Sequence, residues 1–168
     1  SQGGTGHHYQ KENILDAAKS GIEFINISPL KSDLIDGAKG EWITARPNTD
    51  TALMLGLAYT LHSEGLSDEK FLEKYTEGFE KFLPYLLGTN DGIVKNAEWA
   101  AEICNIPSSK IKELARKIST KRTMISVSWS LTRQDHGEQP FWMAIMLASM
   151  VGQIGLPGGG FGFGYSAT

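Results

Sequence analysis

Short strand candidates separated by much longer helical stretches constrain this chain more than any other feature. Residues 22–27 carry Phe24, Ile25 and Ile27, the aromatic and branched bulk of a buried strand, and Pro29 stops it. Residues 41–44 form a second candidate and residues 123–128 a third. Strands joined by helical crossovers predict an α/β fold, an open and mostly parallel sheet with flanking helices. Three strands are few for so many helices, so the sheet is expected to be incomplete.

The helical signals are local. Asn13 opens a short helix that Gly21 ends. After the turn Arg46-Pro47-Asn48-Thr49-Asp50, the residues Ala52, Leu53, Leu55, Gly56, Ala58 and Leu61 make a close-packed apolar surface. Ser67 starts another helix, with Asp68 and Glu69 in its first turn, and residues 79–87 add a turn or two. Asn96 caps residues 97–104, and Pro107 introduces residues 109–119. There Ile111, Leu114, Ala115 and Ile118 follow the i, i+3, i+4, i+7 spacing of one buried face. Residues 140–151 are an apolar helix, closed by Gly152 and the run Gly155-Leu156-Pro157-Gly158-Gly159-Gly160. Beyond it glycines alternate with aromatics, as in an extended loop beside a ligand or interface, or in a poorly ordered end. The unit spans residues 1–168, with residues 1–9 and 161–168 expected to be flexible ends.

Composition narrows the function. The 16 basic and 19 acidic side chains leave a net charge of -3, which gives no general attraction to nucleic acid or anionic membrane. Cys104 is the single cysteine, so neither an intrachain disulfide nor a cysteine-rich metal site can form. It sits beside Ile103 and Ile106 and reads as a buried structural thiol. Residues 1–9 are polar, without the apolar core of a secretory signal, and no apolar run reaches membrane-spanning length. There is no phosphate-binding loop ending in Gly-Lys-Ser/Thr, and Gly3-Gly4-Thr5-Gly6 is too loose for a dinucleotide fingerprint. The adjacent pair His7-His8 reads as exposed loop.

Three polar turns hold the candidate chemistry. Ligands of open α/β sheets gather beyond the carboxyl ends of strands. The loop from Ser28 to Ser32 offers backbone amides, hydroxyls and Lys31 to a phosphate, or is a plain connection. In the second turn, Arg46 has a fork of donors for phosphate or carboxylate. Asp50 can accept paired N–H donors from a purine edge, especially guanine. The plainer reading is that Thr49 or Asp50 caps the helix. The third turn runs from Trp129 to Gly137. Trp129 can cover a flat ring, Arg133 can hold phosphate, and His136 can exchange a proton. A core tryptophan and a capping Asp135 are the alternative.

In combination these segments become specific. Ile27-Ser28-Pro29-Leu30-Lys31-Ser32-Asp33, Arg46-Pro47-Asn48-Thr49-Asp50, His136-Gly137-Glu138-Gln139 and the glycine-rich run from Gly152 to Gly160 resemble, in order and spacing, the dimethyl sulfoxide reductase family of molybdopterin oxidoreductases. The resemblance covers nearly the whole chain. The stretches Val127-Ser128-Trp129-Ser130-Leu131 and Gly137-Glu138-Gln139-Pro140-Phe141-Trp142 look closest to biotin sulfoxide and trimethylamine N-oxide reductases.

The resemblance implies a fragment of a Rossmann-like domain within a much longer enzyme. It implies a bis(molybdopterin guanine dinucleotide) molybdenum cofactor and reduction of an S-oxide or N-oxide by oxygen-atom transfer. The cofactor-contact segments fall at Ile25, Asn26, Ile27, Ser28 and Pro29; at Asn48, Thr49 and Asp50; and at Ser128, Trp129, Ser130 and Arg133. By the same comparison Asp50 recognises guanine, Asn48 and Thr49 shape its turn, and Ser28 and Pro29 line the ribose or phosphate. The third group approaches the pterin–pyrophosphate side. The family's metal-ligating serine lies upstream of the region matched. No catalytic or metal-ligating residue is therefore expected here, and the isolated chain is expected to be inactive and to retain no cofactor. Its partners would be the remaining domains of the enzyme, an oxide substrate and a redox donor, without nucleic acid or membrane insertion, in either the periplasm or the cytoplasm of a bacterium. Two other readings stay open: a freestanding guanine-nucleotide-binding or structural module, and a small enzyme of another class using Arg133 and His136.

Overall fold

The computed structural model describes residues 10–163. The expectations for Gly3-Gly4-Thr5-Gly6, for His7-His8, and for flexible ends over residues 1–9 and 164–168 lie outside that range.

A helix that is apolar on every side must be surrounded, and that requirement organises the fold. In α2 (Asp50–Ser63) the run from Leu53 to Ala58, and then Thr60 and Leu61, is buried. It packs against α5 (Ala97–Cys104), α6 (Ser108–Thr120) and α7 (Gln139–Met150), and more lightly against α4 (Phe79–Leu86). Asn96 begins α5 as expected, its side chain accepting the Trp99 amide at 2.8 Å. On α6, Ile111, Leu114, Ala115 and Ile118 face inward, while Lys112 and Arg116 reach Glu98 and Glu64 outside. The helix α3 (Glu69–Tyr75) is capped by Asp68, whose carboxylate accepts the Phe71 amide at 3.0 Å, so the cap lies one residue beyond Ser67. The helix α1 (Gln10–Lys19) begins ahead of Asn13. Lys95 is only 2% exposed; its ammonium pairs with Asp91 and lies 4.1 Å from the centroid of the Tyr85 ring.

The expected open, Rossmann-like sheet is not what forms. Among the described residues the strands make two separate two-stranded sheets, each parallel. In one, β1 (Ile25–Ile27) pairs with β2 (Glu41–Ile43), Ile25 opposite Glu41 and Ile27 opposite Ile43. In the other, β3 (Met124–Val127) pairs with β4 (Gly160–Phe163), Met124 opposite Gly160 and Val127 opposite Phe163. The residues of β4 were expected to be loop or flexible end. Four strands of three or four residues carry too little ladder to organise the burial, and the core is chiefly helix against helix. The fold is therefore α/β but predominantly helical. Glu23 ties the approach to β1 to the approach to β3, pairing with Lys117 at 3.0 Å and Lys121 at 2.9 Å.

Candidate cofactor-binding site

Parallel register brings the first two polar turns together. Because Ile27 lies opposite Ile43, the chain leaves both strands at the same end of the sheet. The Ser28 amide donates to the Ile43 carbonyl at 3.2 Å. Every polar group of Ser28 is engaged. Its hydroxyl donates to Asp33 and accepts the Leu30 amide at 3.1 Å, and its carbonyl accepts the Trp42 indole N–H at 2.9 Å. Buried and saturated, Ser28 shapes the loop, which exposes Pro29, Leu30, Lys31 and Ser32. Ile25 and Ile27 lie half-buried against the core, and the Asn26 amide donates to the Leu30 carbonyl at 3.5 Å.

The second turn is held from inside. Asn48 adopts a left-handed backbone with φ of 63°, a conformation asparagine tolerates better than most residues. The Thr49 hydroxyl donates to the Arg46 carbonyl at 2.6 Å, closing the turn on itself. That hydroxyl is thus not used to cap α2, although Thr49 occupies the capping position. The Arg46 amide donates to the Cys104 carbonyl at 3.0 Å, and the Cys104 thiol donates to the Thr49 carbonyl at 3.4 Å. Cys104 is fully buried, and burial pushes its thiol above the ordinary range.

Asp50 begins α2 half-buried and without a side-chain partner among the described residues. Burial holds its carboxyl above the usual aspartate range, opposed only by its own backbone amide. The capping alternative for Asp50 therefore has no hydrogen bond behind it. The Arg46 guanidinium, on the same turn, is exposed and has no acidic partner among the described residues.

The third segment stands apart. After β3 the chain enters a short 3-10 helix, Trp129–Arg133, opened by Ser128, whose hydroxyl accepts the Ser130 amide at 3.3 Å and lies 2.7 Å from the Ser130 hydroxyl. The Trp129 ring is 53% exposed and meets Phe163 of β4 edge-on, with centroids 6.3 Å apart. Arg133 is exposed. No hydrogen bond or ion pair joins Ser128, Trp129, Ser130 or Arg133 to the other two turns among the described residues. His136 is exposed, 3.8 Å from an exposed Asp135. Two contributors escaped the sequence reading as site residues, Trp42 and Cys104. Each acts through a partner distant in the chain, 14 and 55 residues away, which no local pattern reveals.

Residues 7–167 match the family described as molybdopterin oxidoreductase. The chain belongs to that family. It is 52% identical over 147 residues to a dimethyl sulfoxide/trimethylamine N-oxide reductase of Cereibacter sphaeroides, covering 88% of this chain and 18% of that one. It is 48% identical over 165 residues to a biotin sulfoxide reductase of the same organism, covering 98% and 22%. A trimethylamine-N-oxide reductase of Haemophilus influenzae is 53% identical over 146 residues, covering 87% and 18%. The chain thus spans about a fifth of the length of these relatives. Acetylene hydratase from Pelobacter acetylenicus shares the fold, with a TM-score of 0.69 at 22% identity over 87% of this chain and 19% of that one.

The donor set can be tested against the family's cofactor. A half-buried carboxylate with open acceptor positions, four residues after an exposed arginine on the same turn, fits a base edge near phosphate. No group of three or more His, Cys, Asp or Glu side chains is arranged to hold a metal ion among the described residues. The residues present fit the nucleotide end of such a cofactor. No helix among the described residues is long and apolar enough to cross a membrane.

Proposed function

We propose that this chain is the part of a bis(molybdopterin guanine dinucleotide) oxidoreductase that holds a guanine end of the cofactor. The enzyme reduces S-oxides or N-oxides, of the class that includes dimethyl sulfoxide, trimethylamine N-oxide and biotin sulfoxide. The observation that carries this reading is the Asp50 carboxylate, half-buried at the start of α2 with no side-chain partner among the described residues. A guanine base presents two adjacent N–H donors on one edge, and a carboxylate accepts both. Such a pair formed out of water is strong and geometrically selective, and it offsets the burial of Asp50.

When bound, the cofactor supplies oxygen-atom transfer from the oxide substrate. The residues of this chain bind and orient its nucleotide. Asn48 and Thr49 set the turn that aims Asp50. Arg46 and Lys31 offer positive charge to phosphate. Ser28 holds Pro29 at the ribose side, and Ser128, Trp129, Ser130 and Arg133 serve the pterin–pyrophosphate side. The reacting centre is built by other parts of the enzyme, so this chain alone is expected to show no turnover.

The test is metal and pterin analysis of the natural gene product containing this sequence, followed by a panel of S-oxides and N-oxides. Molybdenum with acid-released guanine nucleotide, and reduction of at least one oxide, are expected. A product carrying pterin without guanine would sink the assignment. Asp50→Ala is expected to cut the guanine content while leaving the protein folded. Equal loss of a pterin lacking guanine would instead make Asp50 a folding residue.

A further inference from the structure

We infer that Cys104 is a positioning residue for guanine recognition: from the end of α5 it holds the turn over residues 46–50 at two points and so aims the Asp50 carboxylate. The inference rests on the proposed role of Asp50.

Two attachments come from one residue. The Cys104 carbonyl accepts the Arg46 amide at 3.0 Å. A carbonyl this close to a helix end lacks a partner along the helix, and Asn105, in a left-handed backbone with φ of 58°, turns the chain away and leaves it free to accept. The Cys104 thiol donates to the Thr49 carbonyl at 3.4 Å. That carbonyl already accepts the Leu53 amide at 3.0 Å, the first hydrogen bond of α2, so the thiol takes its second acceptor position. The two contacts flank Asn48, the one residue of the turn in a left-handed backbone. Asp50 follows Thr49 directly, and among the described residues its carboxylate meets only its own backbone amide, which moves with the turn. The direction of the Asp50 side chain is therefore inherited from the carbonyl that Cys104 grips. Burial raises the thiol pKa, which keeps the proton that this donation needs.

A residue that merely fills space would behave differently from one that aims a carboxylate. Loss of filling weakens every nucleotide equally. Loss of aim weakens the guanine contact selectively. The experiment uses the natural gene product containing this sequence, prepared without cofactor, and titrates it with guanosine diphosphate and inosine diphosphate. Inosine lacks the exocyclic amino group, so the ratio of the two affinities reads the carboxylate contact. The wild type is expected to prefer guanosine diphosphate by about tenfold, and Asp50→Asn to abolish the preference. Cys104→Ala is expected to lower the ratio by about threefold or more, and Cys104→Ser, which keeps a donor, to hold it within about twofold of wild type. If Cys104→Ala does not fold, Cys104→Val fills the space without a donor and takes its place. A wild-type ratio in the donor-less variant, even with both affinities reduced, would overturn the inference. So would an equal fall in Cys104→Ser. A wild type without preference would instead overturn the guanine reading of Asp50 itself, and the two failures are thereby distinct.

Discussion

Burial holds the Asp50 carboxyl above its ordinary value of 3.8, with only its own backbone amide acting the other way. A carboxyl whose folded pKa lies above its unfolded one gives the folded state stability that is fully present below the unfolded value. That stability is lost as pH rises through the folded value. The exposed carboxylates of Glu23, Glu64, Asp91, Glu98 and Glu113 have the opposite sign, because neighbouring lysines or an arginine hold their pKa values down. Their contribution fades as pH falls. A comparison of wild type with Asp50→Asn cancels them and isolates Asp50. Without nucleotide, the wild type is expected to lose ground to Asp50→Asn as pH is raised from 3.8 toward neutrality, seen in paired denaturation midpoints. A gap that does not change with pH would mean that Asp50 is solvated after all. Guanine binding should reverse the order at neutral pH, since only the carboxylate accepts both N–H donors.

At the scale of elements, the close crossing of α2 and α5 is the most exacting contact. A Cβ added at Gly56 would stand 2.6 Å from the Cβ of Ala100, an atom that no rotation can move away. Gly56→Ala should gain up to about 1 kcal/mol of helix propensity and lose about 1–3 kcal/mol to overpacking, a net destabilisation. Chemical denaturation reads it, and adding Ala100→Gly should restore much of the loss. An outright gain in Gly56→Ala would show that the two helices part easily. The helices were legible because their signals are local: the Asn96 cap and the inward face of α6 both appear where the spacing puts them. The sheet was not legible, because strand pairing joins distant residues. Residues 22–27 read as one strand, yet the strand is only Ile25–Ile27, with the Phe24 carbonyl accepting the Glu41 amide at its edge. The alternation of glycine and aromatic residues read as loop, yet Gly160–Phe163 becomes a strand because β3 offers it a ladder. At the site, residue types pointed to the turn over residues 46–50, while the grip of Cys104 on it depended on a contact 55 residues away.

The surface of the whole molecule leaves large apolar side chains uncovered, among them Trp129, Trp142, Ile145 and Leu156, with Trp142 62% exposed. Exposed apolar surface of this kind drives association. The isolated chain is expected to self-associate reversibly as its concentration rises, and Trp142→Ser to weaken that association, measured by sedimentation velocity. A wild type that stays monomeric throughout would show that these side chains are too scattered to act together. The pairing of β3 with β4 carries a consequence for biosynthesis. The helices α2, α5 and α6 are all present once Thr120 has left the ribosome, but β3 cannot find its ladder until Phe163 follows. A nascent chain paused between those points would hold a helical nucleus with β3 still unpaired with β4, and translation speed over that stretch would set how long a chaperone has to protect it.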